Sequence, residues 1–134
     1  LMLATTDTNV LIRFFVEDDV QQSELAAEIL ESAEVIAIGL QVLCEFAWVL
    51  SSHYKTSRAD ISASISQLLG TANVVANRPA VEAGLAALNA GGDFADGVIA
   101  YEGQWLGGET FVTFDKKASK ILERQGRSTK LLAP

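Results

Sequence analysis

Five of the seventeen acidic side chains in this 134-residue chain stand out by position. Asp7 closes the run Leu3-Ala4-Thr5-Thr6, and Asp115 closes Thr110-Phe111-Val112-Thr113-Phe114. Asp93 and Asp96 follow the pair Gly91-Gly92, and Glu45 sits in a run from Leu40 to Leu50 with few polar neighbours. Carboxylates gathered in one crevice hold hard divalent cations. With one His and one Cys in the chain, the available donors are oxygens, which suit Mg2+ or Mn2+ better than zinc. Cations held this way activate water for hydrolysis, and no side-chain nucleophile is then required.

Each acid also has a plainer reading. Asp7 and Asp115 precede helical patterns and are good N-caps, a role worth about 1 kcal/mol against alanine. Asp93 could cap the following helix, with Asp96 in its first turn, where the helix dipole favours both. Asp96 precedes the inward-packing segment Gly97-Val98-Ile99-Ala100, so it needs a partner, and a cation is one candidate. Glu45 has no Lys or Arg near it in sequence between Arg13 and Lys55. On an apolar helix it must meet a cation, take up a proton or face a cleft.

The elements that must position these groups alternate between strand and helix. Short apolar runs at Leu3–Thr6, Glu34–Gly39, Asn73–Ala76, Thr110–Phe114 and Thr129–Leu132 predict strands. Helical periodicity covers Thr8–Phe15, Val20–Ser32, Leu40–Tyr54, Arg58–Leu69, Pro79–Ala90, Phe94–Leu106 and Lys116–Gln125. Ser57 and Asp60 form a capping pattern, and Pro79 falls in a first turn. This alternation predicts an α/β fold: a three-layer α/β/α sandwich around a short, mainly parallel sheet, as one domain over residues 1–134. Ligands of such sheets collect beyond the carboxyl ends of the strands, where Asp7 and Asp115 fall.

Composition narrows the classes. About half the residues are apolar, and no run is long enough to span a bilayer. The N-terminus lacks a basic segment followed by a long apolar stretch, and the lone Cys44 can form no intrachain bridge; a cytoplasmic protein is expected. The net charge of −7 argues against nucleic acid, but cation-binding carboxylates are neutralised in use. Six of the ten Lys and Arg residues, among them Lys116 and Lys117, lie in the last twenty positions and could contact an RNA backbone or form a solvated face. Trp48 and Trp105 lie on apolar helices and read as core or subunit contacts. Glu17-Asp18-Asp19 reads as a solvated helix entry, and His53 as a helix-end residue favoured by the dipole.

Taken together, the motifs resemble those of PIN domains. Asp7-Thr8-Asn9-Val10-Leu11-Ile12 is similar to the family's opening strand-to-helix motif, and Glu45 stands at its helix glutamate. Phe94-Ala95-Asp96-Gly97-Val98-Ile99-Ala100 looks like its third acidic motif, and Val112-Thr113-Phe114-Asp115 like its closing one. The resemblance covers nearly the whole chain and is closest to the VapC toxin ribonucleases of VapBC toxin–antitoxin pairs. It implies a homodimer, cleavage of RNA with Mg2+ or Mn2+, and a VapB-like antitoxin that occupies the active-site groove. It also implies Asp7, Glu45, Asp96 and Asp115 as catalytic metal ligands, Asp93 as a further ligand, and Asn9 and Thr113 as supporting polar groups. Two departures stand out: Gly97 replaces the more usual alanine, with an expected loss of helix propensity, and Tyr101-Glu102-Gly103 is unusually polar.

A catalytically inactive PIN-like module that binds RNA or protein is the alternative. Such a module gains little from clustered, mutually repelling carboxylates. A haloacid-dehalogenase-like phosphatase is a third reading, but it needs a second Asp where Asn9 stands. A response-regulator receiver domain needs paired acids near the first strand and a Lys after the last, and neither is evident.

Overall fold

In the computed structural model, which describes residues 2–134, every expected helix and strand forms, with ends displaced by two residues at most. The strands pair in parallel throughout, and the mixed α/β class is the one expected. The chain divides into two compact units, one ending at Asn77 and one running Arg78–Pro134. No helix among the described residues is long and apolar enough to cross a membrane.

In the first unit β1 (Leu3–Thr5), β2 (Val35–Ala37) and β3 (Val74–Val75) form one sheet in that order, with Ala4 opposite Ile36 and Ile36 opposite Val74. Parallel neighbours cannot be joined by tight turns. Helices α1 (Thr8–Phe15) and α2 (Val20–Ser32) therefore link the first pair, and α3 (Leu40–Ser52) and α4 (Arg58–Leu69) the second. Helix α3 buries Leu43, Phe46, Ala47 and Leu50, the spacing of one helical face. Phe46 is fully buried and its ring meets Phe15 of α1 at a centroid distance of 5.5 Å. Burying a ring of that size contributes roughly 2–3 kcal/mol. Asn73 fixes the turn into β3 by donating to the carbonyls of Leu30 and Ala33, both at 2.9 Å.

The Glu17-Asp18-Asp19 run is the largely exposed helix entry expected, and it has specific partners. Asp19 caps α2 by accepting from the Gln22 amide at 3.1 Å, and Asp18 accepts from Arg13 at 2.6 Å and from the Tyr54 hydroxyl at 3.1 Å. Partial desolvation pushes the Asp18 carboxyl up, but the Arg13 and Tyr54 hydrogen bonds outweigh it and hold the carboxyl below its ordinary value. Trp48, expected as core or subunit contact, is 68% exposed and is not core, because the buried face of α3 passes through Phe46 and Ala47 instead.

In the second unit β4 (Thr110–Thr113) and β5 (Ser128–Leu131) pair in parallel, joined across α7 (Lys116–Arg124). Helix α7 turns Ala118, Ser119, Ile121 and Leu122 inward and its charged residues outward. The hairpin of α5 (Arg78–Asn89) and α6 (Phe94–Trp105) is packed unusually tightly. A Cβ added at Gly84 would lie 2.6 Å from the Phe94 ring, and one added at Gly97 would lie 2.2 Å from the Ala83 carbonyl oxygen. Gly97 therefore does not weaken α6, which is unbroken; its missing side chain lets two helix backbones touch. Trp105, expected as core or subunit contact, is 77% exposed at the end of α6 and is not core.

Candidate functional site

Asp7 lies just beyond the carboxyl end of β1, with extended backbone that stops the strand and starts α1. One carboxylate oxygen accepts from the Val10 amide at 3.1 Å. Capping thus uses one oxygen and leaves the other available, so the cap and ligand readings coexist. Asp7 and Asn9 share a cleft of about 260 Å3 with Gln41, Val42, Glu45 and Val49 of α3. Six waters at roughly 30 Å3 each occupy about 180 Å3, so the cleft has room for a hydrated cation.

Glu45 is exposed, not buried, which removes the penalty expected from its apolar neighbours in sequence. Leu43, Phe46 and Ala47 are the buried residues beside it, and Glu45 projects from the other face with Gln41 one turn earlier. Of the three outcomes expected for this carboxylate, facing a cleft is the one observed. Arg13, the nearest preceding cation in sequence, is engaged by Asp18. Gln41 was not singled out from sequence, although its spacing of four residues from Glu45 is the signal that places it in the same cleft. The Thr6 hydroxyl, immediately before Asp7, is buried without a hydrogen-bond partner, a second feature no sequence pattern marks.

In the second unit, Asp115 follows β4 and caps α7, accepting from the Ala118 amide at 3.0 Å. Its own amide donates to the Thr113 hydroxyl at 2.9 Å, so Thr113 fixes the turn that presents the carboxylate. Asp93 occupies the N-cap position of α6 but makes no side-chain capping bond, contrary to the plain reading of that residue. What places it there is the end of α5. Gly91 adopts φ +99°, and the amides of Gly91 and Gly92 return to the carbonyls of Leu88 and Ala87 at 3.1 and 2.9 Å. This is a left-handed helix stop that strongly favours glycine, and the chain leaves it directly into Asp93.

Asp96, in the first turn of α6, is half-buried. Its carboxyl is held above the ordinary value by desolvation first, and then by the charges of Asp93 and Asp115. Three acids from two helix starts therefore lie within electrostatic reach of one another. Nothing in that repulsion stabilises the fold, and a divalent cation relieves it. Among the described residues no three His, Cys, Asp or Glu side chains are already grouped as a metal site. In each unit the donor chemistry nonetheless fits a hard cation: all oxygens, with one Asp7 oxygen outside the cap bond in the first and Asp96 held up by desolvation and neighbouring charges in the second.

That strain gives a prediction of definite sign. The folded-state pKa of Asp96 lies above its unfolded value, so folding loses stability as pH rises through the folded pKa. In EDTA at neutral pH, Asp96→Asn is expected to be more stable than the parent chain, by an amount that solvent screening keeps small. The difference should vanish in acid, where both side chains are neutral. Thermal unfolding across pH measures it, and an equal or lower melting temperature for the variant at neutral pH rules the strain out.

His53 caps the C-terminal end of α3 and packs edge-on against Tyr54 at 4.7 Å, consistent with a helix-end role. The acids thus fall into two groups, Asp7 with Glu45 in the first unit and Asp93, Asp96 and Asp115 in the second. Lys116 and Lys117 are exposed at the start of α7, immediately after Asp115. Comparison with models of known protein families matches residues 4–123 to the PIN domain. No curated protein matches the chain.

Proposed function

Because this chain belongs to the PIN-domain family, whose members are generally nucleases that use divalent metals, we propose that it is a Mg2+- or Mn2+-dependent ribonuclease. The observation that carries this reading is the convergence of Asp93, Asp96 and Asp115 from two helix starts, with the half-buried Asp96 carboxyl raised by desolvation first and then by the other two charges. Asp7, Glu45, Asp96 and Asp115 are the proposed catalytic ligands, with Asp93 as a further ligand. When bound, divalent cations supply Lewis-acid charge for the phosphodiester and acidify a water. The chain's own residues hold the carboxylates in place: Thr113 fixes the Asp115 turn, the α1 and α7 amides orient Asp7 and Asp115, and Gly91 delivers Asp93.

The family match runs unbroken past Asn77 and Arg78, which supports treating the two units as one PIN domain. The finer reading is the toxin of a toxin–antitoxin pair, cytoplasmic and homodimeric, held inactive by a VapB-like antitoxin in its groove. It rests on the resemblance of the whole motif set, from Asp7-Thr8-Asn9 to Thr113-Phe114-Asp115, to VapC toxins.

The test is cleavage of total RNA by the purified, antitoxin-free chain with Mg2+, with Mn2+ and with EDTA, beside Asp7→Asn and Glu45→Gln. Discrete fragments that disappear with chelator and in both variants are expected. If folded, metal-binding protein cuts no RNA under any metal, the inactive binding module replaces this reading.

Lys116 and Lys117 are expected to contact the RNA backbone. Two cations at a helix N-terminus oppose the dipole, so helix stability does not account for them. Changing both to Glu in the Asp7→Asn background should weaken single-stranded RNA binding and lower the salt slope by about 1.4, at roughly 0.7 per phosphate. Affinity unaltered across a salt series removes them from the interface.

A further inference from the structure

We infer that the pocket between α1 and α2 seats the nucleoside next to the scissile phosphate of a single RNA strand. The inference rests on the ribonuclease reading and deepens it, adding a subsite beside the cation cleft. The pocket encloses about 510 Å3, about twice the Asp7–Glu45 cleft and inside the range of about 300–1,000 Å3 typical of small-molecule sites. Asp7 and Asn9 line both cavities, so the two adjoin at the proposed cation ligand. A strand whose phosphate meets a cation at Asp7 carries a nucleoside on either side of it. One of them passes Glu45 of α3, and the other enters the pocket against α2.

The lining selects the occupant. Val10 of α1 and Leu25 and Ile29 of α2 form an apolar wall, in which Leu25 is 62% and Ile29 36% exposed. Gln22 lines the same pocket, and a carboxamide offers a donor and an acceptor side by side, the pair that reads a base edge. Thr6 and Arg13 line it as well. Thr6 Oγ1 and Arg13 Nε are the two buried side-chain polar atoms without hydrogen-bond partners among the described residues, and both belong to this one pocket. Both can donate, and buried donors are seldom left unmet. The apolar face of a protein helix brings them no acceptor. A nucleoside brings a flat apolar face for Leu25 and Ile29 together with ring-nitrogen, carbonyl and hydroxyl acceptors at its rim.

The test uses full-length Glu45→Gln, which leaves every residue lining the pocket in place. Its binding with Mg2+ is measured to short oligoadenylate, oligocytidylate and oligouridylate, and to an abasic ribose-phosphate strand of equal length. At least one oligonucleotide should bind more tightly than the abasic strand. Adding Leu25→Gln and Ile29→Gln together should weaken that oligonucleotide about tenfold and leave the abasic strand unchanged. Both side chains are exposed, so the fold should hold. Gln22→Ala should change the preference among the three bases by about 2- to 10-fold.

Equal affinity for all four strands overturns the inference, as does an unaltered preference in the Leu25, Ile29 double variant. A dimer converted to a monomer by that variant, with base preference intact, gives the wall to a second copy and overturns it too. An unchanged preference in Gln22→Ala alone removes Gln22 as the base reader. Metal-dependent cleavage by the parent chain is measured in parallel. Cleavage with no effect of the wall variants overturns only the subsite, whereas base-dependent binding lost in those variants, without cleavage, supports the subsite and overturns the nuclease.

Discussion

Replacing Gly97 by alanine is expected to lower stability by about 2–3 kcal/mol, although the same change raises helix propensity by about 1 kcal/mol. The added Cβ would stand 2.2 Å from the Ala83 carbonyl oxygen and 2.9 Å from the Gly84 Cα. Both are backbone atoms of α5, so no side chain can turn aside to make room. Relief requires α5 and α6 to separate, which opens the packing of Phe94 and Val98, both almost fully buried. For a domain of this size the loss corresponds to a fall of roughly 10 °C in melting temperature. Thermal and denaturant unfolding of Gly97→Ala measures it directly, and a melting temperature equal to or above the parent's means that the helices part easily. Asp96 precedes Gly97 in the same turn, so weaker metal binding is expected to accompany the stability loss.

This glycine shows where sequence reading stops. Helical periodicity, capping residues and the Gly-Gly break were enough to place the twelve elements among the described residues, because those signals are local. Gly97 reads locally as a helix weakener, and only its contact with α5, some thirteen residues earlier in the chain, reverses the sign. Glu45 is a similar case. Its sequence neighbours are apolar, but a helix has two faces, and the register of Leu43, Phe46, Ala47 and Leu50 turns Glu45 away from the core. The same register exposes Trp48 and removes the core half of its core-or-subunit-contact reading. Asp93 reads as an ordinary cap, yet its side chain caps nothing. In the candidate site the residue types and chain positions were legible. Which acids feel one another was not, because the repulsion on Asp96 depends on where α7 delivers Asp115.

Asp7→Asn is expected to abolish RNA cleavage, by roughly a thousandfold or more, while leaving the fold intact. Asp7 has two separable roles: one oxygen caps α1 through the Val10 amide, and the carboxylate charge is the proposed cation ligand. Asparagine is as good an N-cap as aspartate but carries no charge, so the variant should lose only the second role. Alanine removes both, so Asp7→Ala should be equally inactive and also less stable by about 1 kcal/mol. Cleavage rates and denaturant unfolding of the two variants, measured with Mg2+ and again in EDTA, separate the roles. Added metal should stabilise the parent chain and not either variant, since only a group that binds the folded state shifts unfolding by mass action. If Asp7→Asn still cleaves within about tenfold of the parent rate while Asp7→Ala is unstable and inactive, the residue is a cap alone. The metal site must then be sought among Asp93, Asp96 and Asp115, where Asp115→Asn poses the same question through its bond to the Ala118 amide.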